Sequence, residues 1–271
     1  QTYLTVTQEA QKSRLFSFDG RKWRDFLVKI RKVQDQLKDA GVRAEFLTKE
    51  DASEYIDRYF AMDFTHKTLS MNNFKVDEEC VRMGDRKCKI FSLVDVDSIN
   101  LPSLVRPFAN IEVNNTQMPV DVMAAIDQIP EARTVVYNQM IFIPNQKREL
   151  ALLEKKKNRH ASIPNPGNQM AVEDIKQVQE VMAREGKQLV YTHYNLVVCC
   201  DSDADLQKPT NHLENTFGRM GVHISKRAYN QLELFVNSFP GNCYGMSAEY
   251  DRFLTLGDAA ACLMYKEKIQ H

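Results

Sequence analysis

Apolar side chains recur at helical spacing over residues 21–40, where Trp23, Phe26, Leu27, Ile30, Val33 and Leu37 share one stripe and Gly41 supplies the stop. Ala52, Tyr55, Ile56, Tyr59 and Phe60 repeat that period over a shorter stretch, with Thr48 or Asp51 placed to cap its free amides. Around Gly84-Asp85 the period shortens to two, so CVRMGDRKCKIFSLVDV predicts a hairpin whose turn takes positive φ. Residues 15–18 and 42–47 read as short strands beside the first helix.

No period holds over residues 97–119, which carry Pro102, Pro107 and Pro119. Residues 98–119 are therefore the expected linker between an N-terminal subdomain, 1–97, and a second one, 120–271. A short helix is expected over 120–129. TVVYNQMIFI (134–143) and KQLVYTHYNLVVCC (187–200) read as strands. Between them, 149–159 and 172–184 are helical in pattern and are parted by Pro164-Asn165-Pro166-Gly167. Two neighbouring strands joined by a helical pair predict a hairpin arm, residues 145–186, standing out from the body. Leu206, Leu213, Phe217 and Met220 mark a further helix, 222–225 a short strand, and Tyr229, Leu232, Phe235, Val236 and Phe239 the face of a helix after it. The expected fold is α+β: two strand–helix subdomains with mixed or antiparallel sheets and a projecting helical-hairpin arm.

Composition narrows the function classes. The 271 residues are 43% apolar and 27% charged, the balance of an ordinary globular protein with one large core or two small ones. Lys+Arg and Asp+Glu are both 36, which gives no support to a dedicated nucleic-acid binder. No apolar run approaches the roughly 18 residues of a membrane span. The six cysteines form no CxxC pair, so they are expected to be reduced and mostly buried, which suits a cytoplasmic setting. The chain opens on Gln1, not Met, and is expected to be a section of a longer protein.

Few residues carry recognisable chemistry. The only Gly-Lys, Gly186-Lys187, is followed by Gln188 and has Val181 where a phosphate loop needs its first glycine. DSDAD (201–205) opens like a calcium loop but places Leu206 at the turn glycine and His212 at the bidentate glutamate. It reads as a solvated turn whose carboxylates favour the next helix N-terminus. The histidines show no metal-ligand spacing, and His193, alternating with Tyr191 and Asn195, reads as a hydrogen-bonded sheet residue. Cys243 lacks the surroundings of a protease nucleophile, and Ser247 in GMSAE lacks the second glycine of a nucleophile elbow. The basic cluster Lys155, Lys156, Lys157 and Arg159 lies on the arm, either as a solvated helix face or as a contact for an anionic partner. With Tyr191 and Tyr194 it frames the alternative reading, a nucleic-acid-binding module acting on a transferred strand.

QLELFVNSFPGN (231–242), followed by RFLTLGDAAACLM (252–264), resembles the end of the N-terminal region of the VirB-type conjugation ATPases of type IV secretion, the CagE/TrbE/VirB family. The conjugative-transposon TraG branch is the nearest in pattern. The resemblance rests on an F-x-x-x-x-P-G-N element, on Arg252, and on a helix start at Thr255 and Asp258 with Ala259, Ala260 and Ala261 behind it. It implies a non-catalytic docking and assembly domain within a cytoplasmic ATPase peripheral to the inner membrane. The implied partners are inner-membrane secretion components and neighbouring subunits, commonly six. No cofactor is expected on this section; ATP and Mg belong to a P-loop domain implied beyond it. Phe239, Pro240, Gly241, Asn242 and Arg252 become the candidate interdomain junction, since proline ends the helix and Gly-Asn permits a positive-φ turn.

Overall fold

The computed structural model describes residues 2–8, 20–65, 74–93, 110–113, 116–119, 126, 128–201, 205–219, 222–225, 229–242, 245–247 and 251–260, with only the backbone described at 110–119. The expected strand at 15–18 and most of the helix at 120–129 lie outside these residues.

The architecture is α+β, built on one antiparallel sheet of seven strands. Its main path runs β1 (Phe74–Val76), β2 (Val81–Met83), β3 (Arg86–Leu93), β7 (Leu189–Cys200) and β6 (Thr134–Phe142), while β8 (Ile224–Ser225) pairs β3 and β9 (Phe253–Leu256) pairs β7. The sheet crosses the 98–119 stretch, since Lys87–Ser92 of β3 pair with Asn195–Cys200 of β7. Within that stretch β4 (Asn110–Val113) and β5 (Thr116–Pro119) form a separate hairpin. The signal passed over was Asn114-Asn115, a pair tolerant of turn geometry between β-prone flanks.

Helices cover both faces of the sheet, so β7 is buried along nearly its whole length and reads as an almost unbroken apolar run. Its alternation sorts the core in two. Tyr194, Leu196, Val198 and Cys200 meet Leu213 and Phe217 of α5 (Gln207–Arg219). On the other face Val197 and Cys199 meet Tyr59 of α2 (Lys49–Ala61) and Leu234 and Phe235 of α6 (Gln231–Asn237).

Local signals mark the element ends. Thr48 and Asp51 form a reciprocal capping box at the start of α2. Gly84, at φ 58°, makes the two-residue β2–β3 turn, Met83 facing Arg86. Asp205 Oδ1 accepts from Gln207 N at 2.9 Å, the helix-capping role expected of the DSDAD turn. Residues 42–47, by contrast, form neither helix nor strand. Arg43 and Glu45 alternate into solvent and pair with each other at 2.7 Å, and Ala44 O is taken by the Gln34 side chain at 3.1 Å.

Cys80, Cys88, Cys199 and Cys200 are free and buried. Burial pushes the Cys88 thiol well up, the Cys200 thiol up to about 11, and Cys80 upward too. Because the thiolate is the reactive form and all four thiols are shut away from solvent, with those of Cys80, Cys88 and Cys200 also held protonated, none is expected to react with Ellman's reagent near neutral pH until denaturant is added. The assay should count no more than two reactive thiols in the folded chain, Cys243 and Cys262 being the remainder of six. A third would show that this core opens.

Candidate functional site

The candidate junction begins where α6 ends. Ser238 caps the helix in αR geometry, and its hydroxyl donates to Leu234 O at 2.6 Å. Phe239 to Asn242 then form a turn closed by Asn242 N donating to Phe239 O at 2.9 Å. Pro240 and Gly241 occupy the central positions, and Gly241 sits at φ 87°, the conformation that a type II turn demands and a Cβ opposes. Asn242 Nδ2 reaches back to Val236 O at 3.0 Å, fastening the turn to the helix it leaves. Phe239 is held by stacking on Phe60 and edge-on contact with Tyr59, with ring centroids 5.5 and 5.3 Å away.

Strand β7 pins the chain on both sides of this turn. His193, fully buried, faces Asp251 O through Nδ1 at 2.6 Å. A carbonyl only accepts, so Nδ1 carries the proton and Nε2 accepts from Asn195 Nδ2 at 2.9 Å. The same Asn195 amide donates to Ser238 Oγ at 2.7 Å, and its oxygen accepts from Asn138 Nδ2 at 3.0 Å. One Asn–His pair thereby ties the end of α6, the approach to β9 and strand β6 together. His193 is the hydrogen-bonded sheet histidine its alternation implied. Arg252, next along, lies over the Phe142 ring at 3.7 Å.

The chain past β9 is fixed as well. Gly257 N donates to Gln188 O at 2.9 Å, and Ala260 O accepts from Tyr194 Oη at 3.0 Å and Gln139 Nε2 at 2.8 Å. Lys187 bridges Glu185 and Asp258 at 2.7 and 3.1 Å, joining the exit to the base of the arm.

The arm is α3 (Gln146–Ala161) and α4 (Pro166–Glu185), inserted between β6 and β7 and started by Asn145 and Asn165 caps. Gln146 fastens its root: the amide nitrogen donates to Leu189 O and the oxygen accepts from Leu189 N, both at 2.9 Å. Tyr191 Oη donates to the buried Glu149 carboxylate at 2.8 Å, and burial beside that charge pushes the phenol up to about 12. Lys157 turns inward to Glu154 at 2.6 Å and Gln179 at 3.2 Å, binding the two helices. Lys155, Lys156 and Arg159 are exposed. The predicted basic cluster is thus three outward cations and one internal tie. Tyr191 is bonded to the arm root and Tyr194 is 1% exposed, so neither ring offers a platform for bases. Cys243 lies outside the described residues. No three His, Cys, Asp or Glu gather as metal ligands among the described residues, and no described helix is long and apolar enough to cross a membrane.

The residues missed from sequence are those acting across the sheet: Gln231, Asn195, Ser238 and Gln146. Asn195 stands before an apolar run, Leu196–Val198, which was a usable signal; Gln231, Ser238 and Gln146 sit beside other polar residues and offered none. A family model described as TraC protein matches residues 27–243, taking in the arm and the Pro240-Gly241-Asn242 turn and leaving Arg252 outside. No curated protein matches the chain significantly.

Proposed function

As the chain belongs to the TraC protein family of conjugative transfer and type IV secretion, we propose that it is the docking and assembly domain of a conjugative-transfer ATPase. The observation that carries this reading is the immobilised exit: Ser238 at the end of α6 and Asp251 are fastened to β7, the Pro-Gly turn to α6 and α2, and Ala260 to β6 and β7. A chain held at so many points leaves the sheet in one direction, which is what a junction to a following mechanical domain requires. The arm is the partner-facing element, and Lys155, Lys156 and Arg159 are its contacts for inner-membrane secretion components. The VirB-type and TraG resemblance supports placing ATP, Mg and hexameric self-association in the full-length parent, peripheral to the inner membrane. Turnover in this reading belongs to the parent's P-loop domain.

The test is co-purification of the 271-residue chain with the inner-membrane proteins of its transfer system. A triple variant, Lys155→Glu, Lys156→Glu and Arg159→Glu, is expected to lose most of that binding while its far-UV circular dichroism stays unchanged. Undiminished binding overturns the arm assignment. Titration with Mg-ATP is expected to show no saturable site on this chain, and a saturable site overturns the non-catalytic reading. Single-stranded DNA binding that falls steeply with salt and vanishes in the triple variant would replace docking with strand handling.

A further inference from the structure

The helix α1 (Gly20–Asp39) is a 20-residue amphipathic element outside the sheet's two cores, and none of its residues is buried. An amphipathic helix of a globular protein ordinarily turns its apolar stripe to the core. Here Trp23 and Leu27 remain 50% and 38% exposed. The segment that follows adds apolar surface, Phe46 being 61% exposed. With about 3.6 residues per turn, Trp23, Phe26, Leu27, Ile30, Val33 and Leu37 form one stripe. Gln34 alone interrupts it, and its amide is spent on Ala44 O.

The charges are arranged around that stripe. Lys22 and Lys29 border it on one side, and Arg24, Arg31 and Lys38 border it on the other. Asp25, Asp35 and Asp39 sit on the far side, together with Arg21 and Lys32. In all, seven Lys and Arg stand against three Asp on this helix, although the whole chain is neutral. A helix meant for a protein groove has no need to flank its apolar stripe with cations on both edges and keep every carboxylate off those edges. An anionic bilayer surface asks for that arrangement: the apolar side chains enter the acyl boundary, the flanking ammonium and guanidinium groups reach the phosphates, and the carboxylates face water.

We propose that α1 is an in-plane membrane-surface helix that lies on an anionic phospholipid bilayer through the Trp23–Leu37 stripe. This deepens the peripheral-membrane part of the proposed function, and rests on it only for which bilayer is met. The arm and the exit are then free to serve protein partners.

Trp23 is the chain's single tryptophan, so its emission reports on this face without labelling. The full chain is mixed with vesicles of phosphatidylcholine alone, or of phosphatidylcholine with about 30 mol % phosphatidylglycerol, and followed by flotation and Trp23 emission. Binding and a blue shift are expected with the anionic vesicles, weakening about tenfold when Arg24, Arg31 and Lys38 are changed to Gln or when salt is raised. Leu27→Glu, at an exposed position, is expected to abolish both signals while leaving co-purification with the inner-membrane proteins intact. Equal binding to neutral vesicles, absence of binding to either, or Leu27→Glu bound like wild type overturns the proposal. Loss of protein co-purification in Leu27→Glu without vesicle binding by wild type makes the stripe a protein-docking face and also overturns it. Failure of the arm variant to affect docking would count against the proposed function and leave the vesicle result standing.

Discussion

Replacing Tyr59 by Ala is expected to destabilise the fold by about 3–5 kcal/mol, the loss typical of a large aromatic taken from a core. Tyr59 is fully buried. Its ring stacks on Phe235 at 5.1 Å and meets Phe239 edge-on at 5.3 Å, and its hydroxyl donates to Phe235 O at 2.9 Å. The residue therefore joins α2, α6 and the junction turn in one place. Tyr55 and Phe60 pack beside it, and α2 is also held at its ends, by the Thr48–Asp51 box at the start and by Arg86, which donates to Ala61 O and pairs with Asp63 at 2.8 Å, at the finish. Those end ties orient the helix but do not fill the space the ring would vacate. Tyr59→Phe keeps the ring and removes only the donor to Phe235 O, so it is expected to cost about 1 kcal/mol. Urea unfolding followed by far-UV circular dichroism separates the two, since Trp23 lies away from this core. A Tyr59→Ala cost below about 1 kcal/mol would show that α2 does not pack on α6 as described.

Elements whose signals are local were legible in the sequence. The β2–β3 hairpin follows from Gly84, which alone of its turn takes positive φ. The arm follows from two helical periods parted by Pro164 and Pro166 between two strand-like runs, and it lies at Gln146–Ala161 and Pro166–Glu185. Pro240-Gly241 announced its turn for the same reason. What could not be read was anything decided across the sheet. Residues 42–47 have a strand's composition but no partner, and pairing is settled by distant chain. In α6 the pattern assigned Tyr229 and Leu232 to the packed face; they are 91% and 37% exposed, while Gln231 is 1% exposed. Lys157 looked like its neighbours in a basic run until α4 placed Gln179 beside it, with Glu154 of its own helix on the same amine. For Gln231 and for the Lys157–Gln179 tie the partner lies 141 and 22 residues away along the chain, and a window of ten residues holds no trace of it.

Gln231→Leu is the second large effect, expected at about 2–4 kcal/mol although the replacement is more apolar than the original. Beyond the short β2 and before β8, strand β3 has a gap on its outer edge at Ile90, whose backbone would otherwise be buried and unbonded. The Gln231 amide fills this gap as a peptide group would: its oxygen accepts from Ile90 N at 2.7 Å and its nitrogen donates to Ile90 O at 3.1 Å. Leucine supplies neither group, so one donor and one acceptor are stranded inside the protein, and the gain in transfer free energy does not offset that. Gln231→Glu sharpens the argument, because a carboxylate can still accept from Ile90 N but leaves Ile90 O without a donor and brings a charge into the core. Both variants are expected to unfold at lower urea with an unchanged dependence on denaturant. Amide exchange at Ile90 should accelerate in Gln231→Leu more than exchange at Val197, which β7 still pairs with β3 and β6. Since Gln231 is the first residue of α6, loosening it also frees the helix that delivers Pro240. Gln231→Leu with wild-type stability would mean that Leu234 and Phe235 alone seat α6, and that the ladder at Ile90 is closed by some other group.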